Sequence, residues 1–236
     1  MVEMNPTGHQ RKTENLSNDS AEAVFLLHGL AAHRWIMLRI ARSLRRSGYR
    51  VTNWGYPTLW KSIDDHAQQL RKRLSGTLKD DQIDRVHFVT HSMGSIIVRR
   101  MLMETDSEKF GRVVMLGPPN RGSNVARVLA KRLNRLCPAL GQLSDAPQSY
   151  VNCMPEPVDT EVGVIAAAED LVVPIDNTRL EALTDWTVLP GHHSVLPWRP
   201  TTVRYVREFL RCGRFPPLQN ASANSATDAA NNSSEN

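Results

Sequence analysis

The sequence predicts an α/β domain with a mostly parallel central sheet and helices on both faces. Three observations carry that prediction. The apolar segments run continuously rather than alternating with polar residues, as strands buried on both faces do. Amphipathic helix-like segments separate them about five times, the rhythm of repeated strand-helix-strand units. The polar motifs cluster where apolar runs end, and the carboxyl ends of parallel strands are where such sheets hold ligands.

The elements follow in order. Residues 24–29, VFLLHG, form a short strand ending at Gly29. Residues 34–47 have helical spacing, with Trp35, Leu38, Ala41 and Leu44 on one side and arginines on the other, and Gly48 stops the helix. Residues 49–54 make the second strand, and residues 62–75 an amphipathic helix through Ile63, Leu70 and Leu74. Strand 85–91 leads into helix 93–104, and strand 112–117 into helix 124–136. Residues 162–168 and 187–190 are further strands, and helix 200–211 closes the domain. The interval from Pro119 to Glu161 reads as one amphipathic helix and a Pro-rich loop, small for a lid. The folded domain is expected over residues 21–216, between a polar leader (1–20) and an Asn/Ala/Ser-rich tail (217–236), neither of which has enough apolar surface to offset ordering entropy.

A length of 236 residues suits one large domain. No apolar run reaches the eighteen or so residues that a transmembrane helix needs. The polar N-terminus lacks a secretory signal, so a cytoplasmic location is expected. The three cysteines, Cys137, Cys153 and Cys212, are too few and too scattered for a disulfide framework or a zinc site. A net charge of +5 comes with arginine runs at Arg39, Arg42, Arg45 and Arg46, and at Arg127, Lys131, Arg132 and Arg135. These read as solvated helix faces, with peripheral contact to anionic lipid as the sharper alternative. No nucleic-acid module is visible. Oligomeric state is not legible.

Thr90-His91-Ser92-Met93-Gly94 follows an apolar strand and opens a helix, the setting of a nucleophile elbow. Ser92 would be the nucleophile, and Gly94 keeps the turn open. Thr90 stands where the usual pentapeptide has glycine, which adds bulk. The N–H of Met93 at the helix start, and that of Leu30 after His28-Gly29, are the expected oxyanion-hole donors. A serine hydroxyl needs a base, and the base needs an orienting acid. Asp170 ends the strand VGVIAAA, with Glu169 and Asp176 as rivals, and the pair His192-His193 follows the last strand. His9, His33 and His66 fall in the leader or on expected helix surfaces, and His91 lies too close in the turn to reach back. The order Ser, Asp, His at the ends of three different strands is the one a nucleophile elbow calls for. Leu30, Trp35, Tyr56, Trp60, Met93, Leu196 and Trp198 are expected apolar wall residues, with Trp35, Tyr56 and Leu196 taken as substrate-binding.

On the segments VFLLHGL (24–30), YRVTNWGYPT (49–58), VHFVTHSMGS (86–95), VVMLGPPNRGS (113–123), EDLVVPIDNTRL (169–180) and 189–215, the chain resembles compact bacterial α/β-hydrolases of the lipase and esterase type. That resemblance implies an ester or lipid-acyl substrate, a triad of Ser92, Asp170 and His193, and no cofactor or metal. It favours His193 over His192, because Ser194 and Val195 follow it. Ser95 departs from the glycine that many relatives carry. Ester hydrolysis through an acyl-enzyme is the expected activity. Acyl transfer by the same triad, amide hydrolysis and a non-catalytic binding module are its alternatives.

Overall fold

A computed structural model describes residues 21–157 and 159–218. The leader 1–20, with His9, and nearly all of the tail 217–236 lie outside the described residues. Six strands form one sheet in the order β2-β1-β3-β4-β5-β6, and every neighbouring pair is parallel. They are β1 (Ala21–Leu27), β2 (Arg50–Trp54), β3 (Ile83–His91), β4 (Phe110–Leu116), β5 (Val162–Ala167) and β6 (Asp185–Leu189).

Side-chain alternation along the strands sorts the core onto two faces. On one, Phe25, Leu27 and Phe88 pack with Ile63 and Leu70 of α2 (Ile63–Leu78) and Ile96 and Ile97 of α3 (Met93–Leu102). On the other, Val24, Leu26 and Val89 pack with Ile40 and Leu44 of α1 (Leu38–Arg46) and Val206 and Phe209 of α7 (Pro200–Cys212). Both faces are covered, which is why the strands carry continuous apolar runs. A capping box starts α2: the Ser62 hydroxyl accepts the Asp65 N–H, and the Asp65 carboxylate accepts the Ser62 N–H.

Several expectations are corrected. The segment 34–47 is a 3₁₀ turn (Arg34–Met37) followed by α1, and its buried residues are Met37, Ile40, Ala41 and Leu44. Trp35 is turned out to solvent. His66 is fully buried on α2 rather than on its surface, in edge contact with Tyr56. The interval after Pro119 holds three helices: α4 (Asn124–Leu133), α5 (Pro138–Gln142) and α6 (Tyr150–Cys153).

Candidate active site

β3 delivers Ser92 to the carboxyl edge of the sheet, where its backbone takes φ 52° and ψ −124°. A non-glycine residue rarely occupies that region, and such strain persists only where surrounding structure enforces it. The enforcement is visible. The Ser92 N–H donates to the Leu116 carbonyl on β4 at 2.9 Å, and the Ser92 carbonyl accepts from Ser95 N at 2.9 Å. Behind it, a Cβ added to Gly94 would stand 2.9 Å from the carbonyl oxygens of Leu27 and His28, so the first turn of α3 requires glycine there. Thr90 and Ser95, the two departures from glycine, face each other: their hydroxyls are 2.8 Å apart, and Thr90 Oγ1 also reaches the Val114 carbonyl. The bulk that Thr90 adds is thus absorbed by a buried hydrogen bond.

Asp170 follows β5 with its side chain almost fully buried. Its Oδ1 accepts from the backbone N–H groups of Val172 and Val173, each at 2.8 Å. Its Oδ2 lies 2.7 Å from His193 Nδ1. Burial pushes the carboxyl up, but the hydrogen bonds from His193, Val173 and Val172 outweigh it and hold Asp170 below the ordinary carboxylate range. An ionised Asp170 fixes the ring with Nδ1–H toward it, which leaves Nε2 free toward the cavity. Gly117, at φ 53°, makes room: a Cβ there would sit 3.0 Å from His193 Nδ1.

The rivals are placed elsewhere. Glu169 bonds the Gly191 N–H, and His192 is exposed with Nδ1 3.0 Å from the Glu169 carbonyl. Asp176 is exposed on the 3₁₀ turn Ile175–Thr178.

Ser92 and His193 open on one cavity of about 570 Å³, within the ordinary size of small-ligand sites. Leu30, Trp35 and Trp198 line it as expected, with Val125, Leu129 and Leu140 added from the segment after β4. Four wall assignments fail. Tyr56 is buried between His28 and Trp54, its phenol donating to the His28 carbonyl. Leu196 is fully buried in the core on the α1 and α7 face. Met93 likewise sends its side chain into the core and can offer only its N–H, at the first turn of α3. Trp60 is exposed.

Two residues passed over in the sequence are built into the site. His91 is buried beneath His193: its Nε2 lies 3.1 Å from the His193 carbonyl, and the two ring centroids are 4.8 Å apart. Strand alternation carries the signal, since His91 shares the face of Val89 that α7 covers. Desolvation pushes the His91 imidazole down to about 3, so it stays neutral. Arg99 on α3 is buried, its guanidinium donating to the Asn120 and Met154 carbonyls. It thereby ties α3 to the loops before α4 and β5. Its pKa is pushed down to about 10 by burial. Among the described residues no group of three or more His, Cys, Asp or Glu side chains is arranged to hold a metal ion.

Comparison with known proteins gives the same architecture. The model of a family described as serine aminopeptidase, S33, matches residues 18–163, more than half of the chain. Comparison with curated protein sequences gives no match. Among solved structures, a Bacillus licheniformis lipase in its mature form is similar at 18% identity, with TM-score 0.63, over 89% of this chain and 96% of that one. A Legionella pneumophila phospholipase is similar at 16% identity, with TM-score 0.62, over 90% of this chain and 62% of that longer one. A structure from a study of Nitrososphaera gargenis carboxylesterases is similar at 18% identity, with TM-score 0.57, over 83% and 92%. At these identities the structural likeness concerns the fold.

Proposed function

The chain belongs to the serine aminopeptidase S33 family of α/β-hydrolases, and from that premise we propose that it hydrolyses carboxylic esters through Ser92, His193 and Asp170. The observation that carries the reading is the buried Asp170–His193 bond of 2.7 Å beside Ser92 at φ 52°, with Ser92 and His193 on one apolar cavity. His193 Nε2 takes the proton of Ser92, whose oxygen attacks the ester carbonyl. The N–H groups of Leu30 and Met93 receive the negative charge on the carbonyl oxygen. His193 then protonates the departing alcohol, and the carbonyl reforms as an acyl-enzyme. Water, deprotonated by His193, releases the acid and restores Ser92.

An ester fits better than the peptide that the family description names. Among the described residues the cavity lining holds no carboxylate to pair with a peptide's α-ammonium. Its walls are aliphatic and aromatic, suited to an acyl chain. Lipases, phospholipases and carboxylesterases among the similar structures point the same way. The test is an acyl-length series of p-nitrophenyl esters with Ser92→Ala beside wild type. Wild type is expected to turn over short and medium acyl chains, and the variant to lose about 10⁴- to 10⁶-fold in kcat. A variant as fast as wild type would overturn the assignment.

A further inference from the structure

The exposed apolar residues are not spread evenly. Trp35, Trp60 and Trp198 are 64%, 67% and 44% exposed. Trp35 and Trp198 line the cavity itself. The Trp60 N–H donates to the Leu136 carbonyl at 3.0 Å, just past α4, and this bond helps hold Trp60 at φ 70° with its indole outward. A bulky residue at positive φ carries backbone strain. On α4, Val128, Leu129 and Leu133 are exposed, and Leu129 reaches into the cavity. Leu171 and Val195, each beside a cavity-lining residue, complete the rim.

Basic side chains accompany the exposed apolar ones on and just after α4. Lys131, Arg132 and Arg135 are exposed, and among the described residues none of them stands in an ion pair. By helical spacing Arg132 falls between Val128 and Leu129, so cation and apolar side chains share one edge of α4. Across the mouth, Arg39 donates to the Trp198 carbonyl. An amphipathic helix with basic residues beside its apolar stripe, flanked by tryptophans, is the composition that rests in the headgroup layer of an anionic membrane.

We propose that this face docks on an anionic lipid surface and so presents the cavity mouth to the lipid layer. That the cavity then takes its ester from that layer rests on the ester-hydrolase reading above. Docking itself does not, and it is measured without turnover.

The experiment is co-sedimentation of the full chain with phosphatidylcholine vesicles, with and without phosphatidylglycerol. Wild type and Ser92→Ala are expected to bind the anionic vesicles equally, to bind neutral ones more weakly, and to be released by high salt. Lys131→Glu with Arg132→Glu should weaken anionic-vesicle binding about tenfold or more. Trp60→Ala with Val128→Asp should weaken it on both vesicle types. Both pairs should keep wild-type hydrolysis of a soluble short ester, because none of the four residues lines the cavity. Vesicle binding that is absent in wild type, or unchanged in both variant pairs, overturns the proposal. So does a wild-type dimer in sedimentation velocity that the Trp60→Ala, Val128→Asp pair dissociates, which would assign the face to a second copy. If Ser92→Ala and wild type both dock but neither cleaves an ester, docking stands and the catalytic reading falls.

Discussion

His91 shows what a single residue contributes beyond the three proposed catalytic groups. Its Nε2–H donates to the carbonyl of His193 from below, and burial keeps the ring neutral. In the unfolded chain a histidine takes a proton near pH 6.5, whereas folded His91 resists one until about pH 3. Between those values the unfolded state binds more protons, so stability rises with pH and is fully present above about 6.5. His66, pushed down to about 4 chiefly by burial, acts in the same direction. Urea unfolding at neutral pH and at about pH 5 should therefore show a loss approaching 1.4 kcal/mol per pH unit from His91 alone. His91→Gln should flatten that dependence; an unchanged slope would mean that His91 is not buried neutral. The role was not legible beforehand, because proximity to Ser92 along the chain argued against reach, while its real contact lies 102 residues away.

The element that decides the site is the β3–α3 elbow. Its place could be read from the chain, since an apolar strand, a serine and a glycine meet there. Its internal fit could not. Thr90 and Ser95 each read as a departure from glycine, and only their pairing at 2.8 Å shows them to be one feature. Thr90→Val should cost about 1 kcal/mol by leaving the buried Ser95 hydroxyl unpaired, and Ser95→Ala less, because Thr90 Oγ1 keeps the Val114 carbonyl. The double variant should cost less than the sum, by at least about 0.5 kcal/mol. Additive losses in chemical denaturation would show that the two hydroxyls do not bond. Failures elsewhere have the same origin. Tyr56 and Leu196 were assigned to the cavity wall on hydrophobicity, which does not distinguish a wall from a core. The helices α5 and α6 are too short to carry a periodic signal.

At the scale of the whole molecule, the six apolar runs became six parallel strands because a sheet covered on both faces leaves no polar side to write into the sequence. That arrangement brings the ends of β1, β3, β4, β5 and β6 to one edge, where Leu30, Ser92, Gly117, Asp170 and His193 meet around the cavity. The order of polar motifs was therefore more informative than any motif alone. The claim that Ser92 reacts because His193 and Asp170 activate it is tested most directly by covalent capture. The full chain is treated with a fluorophosphonate and mapped by peptide mass spectrometry, with His193→Ala in parallel. One adduct on Ser92, lost in His193→Ala and blocked by prior incubation with a short-chain ester, is the predicted result. An adduct on another serine, or labelling of Ser92 that proceeds equally without His193, would contradict it.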